Sequence, residues 1–242
     1  MRVSVAVIGA GPAGAAAAIE CLRLGCGPVL VLEKTETDRR KSCGGGISPA
    51  AMGQLERLGL WDKISAKAQM VDSLLVKGPA GGWFQLGGPV EAAVMDRLEF
   101  DRLLRRALVR HGAELKRGIA VESLEQASGG WRLGCSDGGT LHARFVVLAC
   151  GASSPLRGKY TRRRGSRLIG ASALFDGVEF MARRVEMYFH PELNPHYAWL
   201  FPLPDGRANL GMCFMPNRGK KVLPNDIHRM LTFCLGDRLA GA

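Results

Sequence analysis

No CxxC pair occurs among the seven cysteines, which sit in apolar or glycine-rich surroundings. Their odd number and scattered placement exclude a zinc-ribbon spacing and argue against a disulfide scaffold; they fit reduced thiols in a cytoplasmic chain, and no metal site is expected. No apolar run is long enough to span a bilayer. Residues 3–19 imitate a leader peptide, but "GAGPAG" interrupts them, and a proline with three glycines is poor material for a hydrophobic helix. The chain also lacks internal repeats and low-complexity tracts. Although 33 basic residues outnumber 22 acidic ones, no recognition helix or aromatic-basic motif accompanies them, so nucleic acid is not expected. The charge reads first as solvated surface, at "DRLLRR" (Asp101 to Arg106) and "KYTRRRGSR" (Lys159 to Arg167). Its second reading is a footprint for an anionic cofactor, lipid headgroups or an acidic partner.

What is present is enough apolar sequence for a core, 47% of 242 residues. "VSVAVIG" (Val3 to Gly9) is apolar on both faces, as a buried parallel strand must be. "PAGAAAAIECLRLG" (Pro12 to Gly25) predicts a helix closed near Gly25, and "PVLVLEK" (Pro28 to Lys34) a second strand, so the first 34 residues make one βαβ unit. A helix is expected over Ser48 to Ile64 and short strands between Val71 and Gly88. An amphipathic helix follows over Asp96 to Leu115, then a meander ending at Phe145 to Ala149. Beyond Gly151 the alternation in "RLIGASALF", "RRVEMYFH", "YAWLFPLP" and "RANLGMCF" predicts an antiparallel sheet, and a last helix begins near Asn225 or Asp226.

Within the βαβ unit, Gly9, Gly11 and Gly14 have GxGxxG spacing. The first glycine allows a tight turn, the second a close approach of a pyrophosphate, and the third close packing of helix on strand. Glu33 ends the next strand, 22 residues after Gly11, where a ribose hydroxyl is met. A dinucleotide is therefore expected. "KSCGGGIS" (Lys41 to Ser48) sets Cys43 against three glycines, which removes side chains from something that approaches closely. Tyr197, Trp199 and Phe201 alternate and share one face of a strand, either as core or as a flat wall beside a ligand.

GAGPAG, Glu33-Lys34, "DRLEFDRLL" (Asp96 to Leu104) and "VVLACGASSPLR" (Val146 to Arg157) together resemble the FAD-dependent group that includes p-hydroxybenzoate hydroxylase-like monooxygenases and geranylgeranyl reductases. The CGGG segment and "YAWLFPLPDGRANLGM" (Tyr197 to Met212) are similar to the geranylgeranyl reductases within it. The resemblance implies a Rossmann-like α/β FAD-binding domain over 1–165, with a strand insertion near 66–95. An antiparallel substrate sheet and a truncated helix fill 166–242. It implies that Gly9, Gly11, Pro12, Ala13, Gly14, Glu33, Lys34, Gly44, Gly45, Arg97, Val121, Gly151 and Ser154 meet FAD. On the same grounds Cys43 is catalytic, and Tyr197, Trp199 and Phe201 line a site for an isoprenoid or lipid substrate. Cys150 stands where the group carries aspartate before Gly151, so an acid's contact is lost there. The implied reaction saturates carbon-carbon double bonds, with NADPH or a reduced acidic electron-carrier protein as reductant. A flavin monooxygenase or halogenase, or a non-catalytic remnant, are the alternatives. Gly236-Asp237 lies in a helical pattern and is not read as the group's Gly-Asp flavin motif, so the sequence reads as an N-terminal portion; peripheral membrane contact is expected from its charge.

Overall fold

A computed structural model describes residues 2–160, 168–193 and 196–215, with the isolated positions 232 and 236. Residues 161–167 of the basic run, the helix expected from Asn225 or Asp226, and Asp237 lie outside the described residues. From the N-terminus the elements are β1 (Arg2–Ile8), α1 (Pro12–Arg23), β2 (Val29–Glu33), β3 (Gly46–Ile47), α2 (Pro49–Arg57), α3 (Trp61–Ser65), β4 (Gln69–Lys77) and β5 (Trp83–Val94). They continue as α4 (Arg97–Arg110), β6 (Glu114–Arg117), β7 (Val121–Ala127), β8 (Gly130–Cys135), β9 (Thr140–Leu148) and α5 (Pro155–Tyr160). The last are β10 (Ile169–Phe175), β11 (Arg184–Phe189), a 3-10 turn (Pro191–Leu193), β12 (Tyr197–Pro202) and β13 (Ala208–Phe214).

Two compact units result. One joins Met1–Arg39 to Leu98–Arg164, the other Arg40–Arg97 to Gly165–Ala242. The first carries the sheet β6-β2-β1-β9-β8-β7, in which β6, β2, β1 and β9 run parallel and β8 and β7 antiparallel. β1 lies between β2 and β9, so Val5, Ala6, Val7 and Ile8 are all buried. Each such valine or isoleucine contributes about 1.5–3 kcal/mol. The second unit carries the sheet β10-β13-β12-β11-β4-β5-β3.

The second unit corrects three expectations. The strands expected as an insertion near 66–95 do not belong to the first unit, because β4 pairs with β11, Leu75 opposite Glu186, and so joins the second with the rest of Arg40–Arg97. That pair is parallel, so the sheet is antiparallel elsewhere but mixed overall. The single helix expected over Ser48 to Ile64 is two, parted at Gly59, whose φ of +66° a right-handed helix cannot hold. In the first unit, α4 likewise stops at Arg110, Gly112 turns the chain at φ +97°, and residues 114–117 become an edge strand beside β2.

Candidate active site

The GAGPAG turn is shaped by its own packing. Gly9 has φ +106°, and a Cβ there would lie 2.4 Å from the carbonyl oxygen of Ala149; a Cβ on Gly14 would lie 1.8 Å from that of Gly9. The end of β1, the start of α1 and the segment after β9 thus meet with no room for a methyl group. Cys150, whose Cα would lie 3.2 Å from a Cβ on Gly9, belongs to that contact, and exposed Gly151 follows it at φ +75°. Gly11 is the N-cap of α1, no side chain caps the helix, and Pro12 has no N–H to satisfy. The first-turn N–H groups of Ala13 and Gly14 have no intrahelical acceptor, and a turn free of side chains is the shape that a pyrophosphate needs.

Glu33 stands across this turn. Its carboxylate accepts from the Ala10 N–H at 2.9 Å, from the Thr35 N–H at 3.1 Å and from the Thr35 hydroxyl at 3.0 Å. Lys34 beside it is exposed. Three arginines, two of them from the basic cluster "DRLLRR", converge nearby on Asp38. Arg102 Nε donates to Asp38 Oδ2 at 2.8 Å, while Arg105 Nη2 and Arg117 Nη2 each donate to Oδ1 at 2.8 Å. Arg105 Nη1 also reaches the Ala10 carbonyl at 3.5 Å. No spacing rule flags Asp38, because its partners lie 64 to 79 residues away.

The hydrogen bond from Arg102, followed by the charges of Arg105 and Arg117, holds the Asp38 carboxyl below its ordinary range. A lowered folded value means the stabilisation is full above the unfolded value of about 4 and is lost as pH falls through the folded one. Asp38→Asn is expected to cost about 1–3 kcal/mol at pH 7. Urea midpoints at neutral pH and near pH 3 check this: the gap between variant and wild type should close in acid, and a constant gap would count against it.

In the second unit the glycine run meets the aromatic stripe. A Cβ on Gly44 would lie 2.8 Å from the Phe201 ring and 3.0 Å from Trp199 Nε1; one on Gly46 would lie 3.2 Å from Phe201. Gly45 has φ +81°, and its Cβ would fall 2.1 Å from the Met95 carbonyl oxygen. Side chains are excluded here by the protein's own rings and backbone. Trp199 is buried, its ring edge-on to Tyr197 with centroids 6.3 Å apart, and Gly211 opposite it leaves the space its indole fills. Trp199 Nε1 donates to Asn209 Oδ1 at 3.0 Å, and Asn209 Nδ2 donates to the Cys43 carbonyl at 2.9 Å. Cys43 N donates to Ser172 Oγ at 3.1 Å, and Gly45 N to Cys43 Sγ at 3.4 Å. Cys43 stays half-buried beside half-buried Tyr197 and Phe201. Burial first, then the thiols of Cys213 and Cys43, pushes the Tyr197 phenol above its ordinary value.

The other expected cofactor residues are placed singly. Arg97 opens α4 and is half-buried, Val121 opens β7 and is buried, and Ser154 precedes α5.

Residues 2–221 match the FAD binding domain family. A menaquinone reductase of Mycolicibacterium smegmatis is 30% identical over 226 residues, which cover 87% of this chain and 54% of that protein. Digeranylgeranylglycerophospholipid reductase 1 of Methanopyrus kandleri is 29% identical over 223 residues, 88% of this chain and 58% of that protein. A flavin-dependent brominase shares the fold, with a TM-score of 0.82 at 21% identity over 100% of this chain and 63% of that one. The chain spans little more than half the length of the curated relatives it matches. With a glycine turn shaped by close packing and a family match over nearly all its length, the chain belongs to the FAD binding domain family.

Proposed function

We propose that this chain is part of an FAD-dependent oxidoreductase that reduces carbon-carbon double bonds of isoprenoid chains. One observation carries the reading: the CGGG loop and the YxWxFP strand, the two segments similar to geranylgeranyl reductases, are joined through Asn209. The name of one relative, a digeranylgeranylglycerophospholipid reductase, supports it. Reduced FAD, when bound, supplies the hydride. The N–H groups of Ala13 and Gly14 hold its pyrophosphate, with Gly9, Gly11 and Pro12 shaping the approach, and Glu33 and Lys34 serve its ribose end. Val121, Gly151 and Ser154 are proposed as further cofactor residues of the first unit, and Gly44, Gly45 and Arg97 of the second. Cys43 delivers or relays the proton at the substrate carbon, while Tyr197, Trp199 and Phe201 shape and dry the path of an apolar chain. NADPH or a reduced carrier protein regenerates the flavin.

Anaerobic incubation of the full-length protein with a prenyl lipid and reductant, read by mass spectrometry, tests this. A gain of two hydrogens per double bond is expected. Incorporation of oxygen or halogen would instead establish the second reading, a monooxygenase or halogenase, which the brominase likeness favours. Protein lacking flavin absorbance would leave a non-catalytic remnant.

Among the described residues no helix is long and apolar enough to cross a membrane. The β4–β5 hairpin exposes Trp83, Phe84 and Leu86 at 69%, 52% and 57% next to exposed Lys77. We place peripheral contact with an anionic membrane there, since tryptophan favours the headgroup level and basic side chains favour anionic lipid. Co-sedimentation with phosphatidylserine vesicles is expected to fall in Trp83→Ser and with added salt, which screens charges over ~8 Å at physiological ionic strength. Equal binding to neutral vesicles would sink the idea.

A further inference from the structure

We propose that Asn209, acting with Ser172, is the positioning residue for Cys43: its side-chain amide reads the buried Trp199 indole on one side and fixes the Cys43 backbone on the other. The orientation of that amide follows from chemistry. An indole N–H can only donate and a backbone carbonyl can only accept, so Asn209 must turn Oδ1 to Trp199 and Nδ2 to Cys43. At 4% exposure neither half has water as an alternative partner. An ionised aspartate would serve Trp199 but could not donate to Cys43, and leucine would serve neither.

The second hold lies on the next strand. β10 pairs with β13, with Ser172 opposite Gly211, and Ser172 Oγ accepts the Cys43 N–H at 3.1 Å. Both backbone groups of Cys43 are therefore taken by side chains of two adjacent strands, although Asn209 is 166 residues away in sequence and Ser172 129. The residue after Cys43 cannot carry a side chain, because Phe201 and Trp199 occupy its space. The backbone of Cys43 is thus held by three contacts with the sheet, while its thiol accepts the Gly45 N–H within the loop. A residue that merely satisfied a buried indole would need only the first half of the amide.

The proposal rests on the reading of Cys43 as the acting thiol only for its catalytic consequence, and the test is independent of activity. In the full-length protein, alkylation of Cys43 by N-ethylmaleimide is followed at fixed neutral pH by peptide mass spectrometry, with Cys135 of the first unit as internal control. Asn209→Asp and Asn209→Leu are both expected to raise the Cys43 rate about tenfold, the effect of one lost hydrogen bond on loop opening, with Cys135 unchanged. A wild-type rate in Asn209→Asp, which keeps the Trp199 acceptor, would overturn the proposal, as would a parallel rise at Cys135, which signals general loosening. Should both variants fail to fold, Ser172→Ala decides at a half-buried position: it is expected to raise the Cys43 rate, and an unchanged rate overturns the proposal. If these rates shift as expected while prenyl-lipid reduction is absent, the positioning stands and the reductase reading fails.

Discussion

Replacing Gly14 by alanine is expected to yield a destabilised protein that holds almost no flavin. The added methyl would lie 1.8 Å from the Gly9 carbonyl oxygen, 3.0 Å from its carbon and 3.2 Å from the Ala149 Cβ. No non-bonded contact tolerates the first of these, and the atoms it meets are backbone on one side and the half-buried residue after β9 on the other. Either α1 moves off the sheet or the turn opens, and both displace the Ala13 and Gly14 N–H groups. Overpacking of this kind costs about 3 kcal/mol or more. Gly11→Val supplies the contrast. Gly11 has φ −77°, which any residue adopts, so that variant is expected to fold and to lose flavin because a side chain stands where the phosphate approaches. Flavin absorbance per protein after gel filtration, with thermal melting alongside, separates the two. Normal flavin content in Gly11→Val would remove the pyrophosphate from this turn, and a stable, flavin-loaded Gly14→Ala would contradict the packing.

Cys43→Ala should leave fold and flavin intact while slowing double-bond reduction by about 10² to 10⁴-fold, the range for loss of a general acid. The holds from Ser172 and Asn209 use only the N–H and C=O of Cys43, which alanine retains; the Gly45 N–H loses its thiol acceptor, but both links to the sheet remain. Gly45→Ala should behave in the opposite way. With φ +81° and a Cβ 2.1 Å from the Met95 carbonyl oxygen, the loop cannot close, and the loss should fall on stability and occupancy as much as on rate. Single-turnover rates beside melting curves and flavin content distinguish these outcomes. An undiminished rate in flavin-loaded Cys43→Ala would return Cys43 to the part of a small half-buried residue.

The first βαβ unit was legible because its signals are local: an apolar run, three glycines and an acidic residue at fixed spacing within 34 residues. The strands after Gly151 were legible from alternation alone. What escaped depended on partners distant in sequence. Residues 114–117 carry on the helical pattern of α4 and become a strand only because β2 offers an unpaired edge and Gly112 lets the chain turn toward it. Parallel pairing of β4 with β11 has no signature in either segment. At the site, the sequence pointed to Cys43, its glycines and the aromatic stripe, yet the reason for the glycines lay in the rings of Trp199 and Phe201. Asn209 was visible only as a letter in a resembling segment. Asp38 was not visible at all, because three arginines from α4 and β6 give it its place.

The central position of β1 has a consequence for how the protein is made. Val5 pairs with Val29, 24 residues on, and with Phe145, 140 residues on. At a synthesis rate of ~5–20 residues per second, roughly 7 to 28 s pass between the emergence of β1 and that of its second neighbour. Throughout that interval a strand rich in valine and isoleucine presents an unpaired edge, the form most prone to join another chain. Nascent chains of this protein therefore carry that unpaired edge until β9 has left the ribosome, and a pause in translation before that point is expected to favour association more than one after it.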